Sequence, residues 1–543
     1  MMDNLWRHWI FAVMQTKSGG KRFIQSFILI SICLVMIACG VFNPSSDRPL
    51  MPTPTFPPMA VALTPTPNNG QPAAQPTAIG IQPTQPSSLG TGGAPEATPD
   101  PDYTPSMQLY YSQSGDTLPS LARRFGVLPD QITSPEAIPS DSLLNPGQLL
   151  IIPDIFEKTS PSVQLLPDSE IVFSPSAVDF DVTAYVNKAG GYLSEYRQEL
   201  TSGWLTGAQV IERVAIENSV NPRLLLTILE VESGWVYGKP GNLAQEDYPL
   251  GWKDFRAKGL YKQLSWAVQY LSIGYYGWRA GILTDLTFPN GEILRISPDL
   301  NAGSVALQVL FSKLHNQDDW NTILFAENSL PALHEQMFGN PWVRAQSVEP
   351  LYPPNLKQPA LSLPFTPGHT WALTGGPHSA WGPDGALAAV DFAPMSITSG
   401  CVISDEWIVS SAPGLVVRAE NGAVLVDLDG DGREQTGWVL LYMHVGRENR
   451  VNVGTFLDQD DLIGHPSCEG GVSTGTHVHF ARKYNGEWIL ADGPMPLDLN
   501  GWVAHAGVKP YEGTMTKGEK TVYSSVYGSF ESRIKRENGE VVE

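Results

Sequence analysis

Residues 375–392 read GGPHSAWGPDGALAAVDF. His378 stands in a Gly- and Pro-rich turn, and Asp391 follows at the end of the run ALAAVD, thirteen positions on. Alone, the stretch is either a loop that happens to contain a His and an Asp, or two ligands of a metal whose third ligand lies elsewhere. Two other segments bear on that choice. In STGTHVHFA (473–481) the apolar flanks predict a strand, which puts His477 and His479 on one face and Val478 toward the core. GWVLLYMHVG (437–446) is another apolar strand, and it ends at His444. A lone His in that position is ordinarily a satisfied packing residue, but here it is one of a set.

Together, these segments resemble the lysostaphin-type zinc endopeptidases, and among them the beta-lytic or staphylolytic group. Many members of that family space two ligands as His-x3-Asp, whereas Leu387 occupies the position four before Asp391. The beta-lytic spacing is His-x12-Asp after a GG-x-H turn, and 375–391 fits it. The resemblance implies Zn2+ held by His378, Asp391 and His479, with His444 and His477 as the catalytic histidines. Two imidazoles and a carboxylate leave zinc an open position, so that water is acidified and a peptide carbonyl polarised. His477 is expected as the base and His444 as the oxyanion stabiliser. The family likeness covers 365–513 and implies a C-terminal antiparallel-β peptidase domain, with residues 514–543 left as a polar tail.

Upstream, 108–154 contains SGDTL, LARRFGV and NPGQLLIIP. That order resembles the LysM module, a small α+β unit with two helices on a two-stranded sheet. It implies binding of N-acetylglucosamine-containing glycan, and hence peptidoglycan, by the loop after the first strand and the loop before the last. Residues 170–345 are expected to be mainly helical, and Asn221-Pro222 is a helix start with Gly234 as its stop. NPRLLLTILEVESGW resembles the catalytic helix of lytic transglycosylases and goose-type lysozymes, which implies Glu232 as a second catalytic residue. The family's later Gly-Leu-Met-Gln segment is missing, and a helical spacer is the alternative. Glu230 lies about 200° around the helix from Glu232, so the two cannot form a carboxylate pair.

The chain has 543 residues and several domains are expected. A formal charge of -21 argues against nucleic acid as a partner. Residues 1–40 carry Lys17, Lys21 and Arg22 before FILISICLVMIA, then Cys39 and Gly40. This resembles a bacterial lipoprotein signal with Cys39 as the lipidated residue, which predicts an extracytoplasmic, membrane-anchored or wall-associated protein. Met36 stands where the pattern prefers Leu, and a plain signal anchor is the other reading. Residues 41–107, rich in Pro, Thr, Ser, Gly and Ala, are expected to be a disordered tether. Extended, it would reach on the order of 200 Å at about 3 Å per residue. In the exported part only Cys401 and Cys468 remain, and one disulfide is expected. DLDGDGREQTGW places Asp427, Asp429 and Asp431 like the start of a Ca2+ loop, but the twelfth position is Trp438; a polar turn is the alternative.

The sequence therefore predicts a LysM-bearing, zinc-dependent endopeptidase that cuts peptidoglycan peptides. The rivals are glycan cleavage through Glu232 and a non-enzymatic wall-binding regulator.

Overall fold

Strand β1 (Met107–Tyr111) pairs antiparallel with β2 (Leu149–Pro153), and helix α1 (Leu118–Phe125) packs on them. Thr117 caps α1 reciprocally with Ser120, Pro119 sits in its first turn, and Gly126 closes it in the left-handed conformation. These are the SGDTL and FGV signals at work. Of the two helices the LysM likeness implies, the second is reduced to the single 3₁₀ turn Pro129–Gln131. This computed structural model describes residues 106–298, 300–395 and 400–539. The candidate lipidation site Cys39, the apolar leader and the tether lie outside the described residues.

The central region is helical as expected. Its main helices are α2 (Val182–Ala189), α3 (Gly207–Asn218), α4 (Pro222–Ser233), α5 (Leu260–Arg279), α6 (Ala302–Leu314), α7 (Gln317–Phe325) and α8 (Leu330–Phe338). Asn221 caps α4, Pro222 opens it and Gly234 ends it in the left-handed region. A hairpin of β3 (Arg197–Leu200) and β4 (Gly203–Thr206) leads into α3. Helices α5 and α6 lie in close contact because Gly274 lets the backbone of Ala306 approach; a Cβ there would be 2.7 Å from the Ala306 Cα.

The C-terminal region is built on one large antiparallel sheet. Its strands are β5 (Thr370–His378), β6 (Ala389–Pro394), β7 (Gly414–Glu420), β8 (Ala423–Asp427), β9 (Trp438–Met443), β10 (Phe456–Leu457), β11 (Val478–Tyr484) and β12 (Arg533–Lys535). The order is β10-β7-β8-β9-β11-β6-β5-β12. The β7–β8 turn at Asn421-Gly422 has positive φ at both residues (50° and 78°), the type I′ geometry that Asn-Gly favours. One departure concerns 514–543, expected as a polar tail. Residues of this segment extend a four-stranded sheet through Lys520–Tyr523, and β12 then pairs along β5 with Ile534 fully buried. A three-residue edge strand with one apolar side chain leaves too little periodicity to read.

The modules are not beads on a string. All described residues belong to one structural unit, and a single hydrophobic core runs through LysM Leu121 and Phe125, helical Leu264 and Leu271, and sheet residues Leu425, Leu441 and Trp488. A second core fills the other face of the sheet. At the junction of the three parts, buried Arg279 pairs with Asp168 and Glu487, both at 3.0 Å. Arg124 of α1, ion-paired with Asp116, also reaches the Trp278 carbonyl. Gly281 accepts the LysM backbone so closely that a Cβ would lie 2.7 Å from the Ser120 Cα. Among the described residues, no helix is long and apolar enough to cross a membrane.

Candidate metal centre and groove

Four neighbouring strand segments position the histidines and the aspartate. β5 ends at His378, β6 carries Asp391, and β11 places His479 directly opposite Asp391 in register. β9 pairs Met443 with His479 and then stops, as His444 turns to φ 66°. His477 lies just before β11, bridged to Ser467. Val478 is fully buried in the opposite face's core, as the alternation predicts.

The His378 Nε2 lies 2.9 Å from His479 Nδ1, and Asp391 Oδ1 is 3.2 Å from each. All three residues are buried. His378 Nδ1 donates to the Gly376 carbonyl at 2.8 Å, and His479 Nε2 donates to the Ala380 carbonyl at 3.0 Å. With those protons committed to carbonyls, the lone pairs of His378 Nε2 and His479 Nδ1 face each other beside a carboxylate. Three converging electron-rich atoms are mutually repulsive unless a cation sits among them. Ligand bonds of about 2.05 Å in a tetrahedron give edges of about 3.3 Å, close to the spacings here, so the donor set fits zinc. Gly375 belongs to the same construction: a Cβ there would lie 2.5 Å from Asp391 Oδ2. The second glycine of GGPH also meets backbone, with Glu512 O at 2.6 Å from its Cβ position.

The electrostatics agree with a cation-seeking site. Burial raises the Asp391 pKa, but His378 and His477 outweigh it and hold the carboxyl well below its usual range. Burial lowers His378, yet Asp391 beside it raises it overall; burial dominates at His479 and lowers it. A metal ion bound here would replace the proton that Asp391 otherwise draws onto this cluster. Burial, then His477 and His479, push His444 down to about 4. The rings of His444 and His477 are 4.4 Å apart, and His477 Nε2 is 3.7 Å from Asp391 Oδ1. Their Nδ1 atoms donate to the Glu469 and Gly475 carbonyls, so both present Nε2 toward the ligand cluster.

A groove of about 2050 Å³ passes over the cluster, walled by the C-terminal loops around Trp381, Glu406 and Gly471 and by Arg213 and Tyr261 of the helical region. Cys401 and Cys468 are bonded and tie together two loops of this rim, which Val402 and Thr476 also join by hydrogen bonds of 2.9 and 2.6 Å. Two contributors escaped the sequence reading. Tyr511 stacks on His378 at 4.0 Å between ring centres, and Trp381 lines the groove. Tyr511 lies far along the chain in an irregular turn that gives no local signal.

The other candidate residues lie apart. Glu232, with 8% of its side chain exposed, bonds His315 Nε2 at 2.8 Å. Burial opposes charge on His315, but the Glu232 bond raises its pKa overall. Glu230 instead accepts from the Val236 and Tyr237 amides, as its position across the helix requires. Asp427, Asp429 and Asp431 cluster in the β8–β9 turn and accept from the loop amides of Asp429, Gly432, Asp431 and Arg433. Burial and then Asp429 raise Asp427 to about 6. This is the polar turn named above as the alternative to Ca2+. In the LysM part, Ser114, Gly115 and Asp116 are buried, the Tyr352 amide donates to Ser114 Oγ at 2.8 Å, and the Asn355 amide to Asn145 Oδ1 at 3.3 Å. The two loops implied to hold glycan thus border residues 352–358 of the same chain.

An antiparallel sheet bearing a His-Asp-His cluster, with two more histidines on its rim, is the arrangement that the resemblance to the lysostaphin-type metallopeptidases implied. Comparison with known proteins agrees: the LysM domain profile matches residues 113–153, and that of the LasA N-terminal domain matches 164–353. Protease LasA of Pseudomonas aeruginosa is 27% identical over 359 residues, covering 61% of this chain and 77% of LasA. The beta-lytic metalloendopeptidase of Lysobacter enzymogenes is 26% identical over 141 residues, covering 24% and 74%. Among solved structures, the deep-sea M23 metalloprotease pseudoalterin is 20% identical, with 31% of this chain and 96% of that one covered and a TM-score of 0.25. The catalytic domain of lysostaphin from Staphylococcus simulans is 22% identical, covering 23% and 89%, with a TM-score of 0.17. The chain is a LysM-containing relative of the lysostaphin-type metallopeptidases.

Proposed function

We propose that the protein is a zinc-dependent endopeptidase that hydrolyses peptide bonds of peptidoglycan. The convergence of the His378, Asp391 and His479 donor atoms carries this reading. The relatedness to Protease LasA and the beta-lytic metalloendopeptidase, and the LysM module, support peptidase chemistry at the wall. His378, Asp391 and His479 would hold the ion. Zinc, when bound, supplies Lewis acidity that activates water and polarises a carbonyl. The peptide lies in the groove between the Trp381 and Glu469–His477 loops. His477 accepts the proton of the attacking water at Nε2, and the Asp391 carboxylate 3.7 Å away favours the charge that forms on the ring. His444 borders the same space. With its Nδ1 proton held by the Glu469 carbonyl and its pKa pushed down to about 4, its Nε2 is an acceptor, which suits a second proton acceptor beside His477 better than the oxyanion donor expected of it. The N-terminal leader fits an extracytoplasmic enzyme held at the membrane through Cys39.

The deciding experiment is mass spectrometry of muropeptides after digestion with the full chain, with and without a zinc chelator. New amine termini that vanish on chelation support the proposal. Unaltered peptides with zinc bound would remove it.

A further inference from the structure

Twelve residues separate His378 from Asp391, and they fold into a knot held from two sides. Within it, Ala380 N donates to the Ala386 carbonyl at 2.9 Å and Gly385 N to Ser379 Oγ at 3.1 Å. The peptidase side clasps it where Ala491 N donates to the Leu387 carbonyl at 2.9 Å. The other side belongs to the helical domain. Gln269 of α5 donates from Nε2 to Asp384 Oδ2 at 2.8 Å, and Ser272, one turn on, faces Gly385, whose Cβ position lies 3.1 Å from Ser272 Oγ. The Arg418 guanidinium lies 5.6 Å from the Trp381 ring centre, pairs with Glu434 at 2.7 Å and donates to the Ile216 carbonyl of α3 at 3.5 Å. Ala380, Ala386 and Ala388 are buried in the core shared with the helices.

This knot contains the Ala380 carbonyl, the acceptor that fixes the tautomer and rotation of His479 and aims its Nδ1 lone pair at the cluster. We propose that the helical domain is a bracket for the metal centre, and that Gln269, Asp384 and Trp381 are positioning residues that hold the Ala380 carbonyl and, through it, His479. The inference rests on the zinc reading above. A three-residue connection between His378 and Asp391 could not reach α5. Outer partners of metal ligands change affinity by about 10–100-fold when lost, and an exposed bond such as Gln269–Asp384 belongs at or below the low end of that range.

The test measures zinc affinity of the full chain by competition with a chromophoric chelator, alongside thermal melting. Turnover is not the readout, because Trp381 also lines the groove. Gln269→Glu sets a carboxylate against Asp384 and should weaken zinc binding several-fold with melting of the chelated protein unchanged. Adding Asp384→Asn restores a donor–acceptor pair and should restore affinity. Trp381→Ala should cost about tenfold, with partial recovery in Trp381→Phe. Wild-type zinc affinity in both Gln269→Glu and Trp381→Ala overturns the inference alone, as does a Gln269→Glu loss that Asp384→Asn leaves uncorrected. Wild-type protein that binds no zinc refutes the metal reading and this inference with it.

Discussion

Gly375→Ala is the smallest change that should reach the metal site. Gly375 keeps strand geometry with φ outside the left-handed region, so alanine brings no backbone strain and the effect isolates one contact. Its methyl would stand 2.5 Å from Asp391 Oδ2, 3.0 Å from Cγ and 3.2 Å from Cβ. Ordinary carbon–oxygen contact is about 3.4 Å or more, so something must move by roughly 1 Å. If β5 retreats from β6, the register Gly375 to Asp391 is strained and overpacking should cost about 1–3 kcal/mol of stability. If the carboxylate rotates instead, Oδ1 leaves its 3.2 Å approach to both histidine nitrogens and zinc affinity should fall about 10–100-fold. The second route lowers the zinc-dependent gain in stability, by about 1.4–2.7 kcal/mol for that affinity loss at fixed zinc, whereas the first lowers stability with and without zinc alike. Denaturation with and without added zinc, together with chelator competition, separates the two routes. Wild-type stability and wild-type zinc affinity in Gly375→Ala would show that the close approach is not what holds Asp391 in place.

His378→Ala removes one of three protein ligands and should abolish stoichiometric zinc, whereas Leu387→Ala, four before Asp391, should retain it; full zinc in the His378 variant by metal analysis would break the ligand assignment. His444→Ala and His477→Ala should keep zinc but lose peptide hydrolysis by roughly 10²-fold or more, and near-normal turnover with zinc verified would remove that histidine from the mechanism. Cys401 and Cys468 are 67 positions apart, so reducing their bond should cost about 4 kcal/mol in the chain-entropy model, read as a lower denaturation midpoint under reductant. Glu232 is engaged by His315 at 2.8 Å instead of facing an open glycan groove, so full chain carrying His477→Ala should release no new sugar ends from purified peptidoglycan; sugar ends that disappear on Glu232→Gln would make the protein bifunctional.

What could be read in the sequence was what depends on local periodicity. The α4 boundaries follow from Asn221, Pro222 and Gly234, and the β7–β8 turn follows from Asn421-Gly422, because caps and type I′ turns are set by the residues that occupy them. The His-x-His strand put two rings on one face by the same logic. Long-range docking left no such mark. Nothing local in SGDTLPS predicts that Gly115 will lie under Arg279 or that Gly281 will receive Ser120, since each contact is decided by surfaces that only exist once both parts have folded. The same holds for β12, where Ile534 finds Trp371 across the edge of the sheet. The candidate site sits at the boundary between these two kinds of information. Its candidate ligands came from the resemblance to the beta-lytic group, while strand alternation accounted only for the shared face of His477 and His479; the orientation of the rings was not legible, because the Gly376 and Ala380 carbonyls that fix them belong to turns with no periodicity. Ala380 is placed by a loop whose far end touches α5, so the aim of His479 depends on residues more than a hundred positions earlier in the chain. A motif can therefore name the donor atoms of such a centre, while the folded arrangement of two domains decides where their lone pairs point.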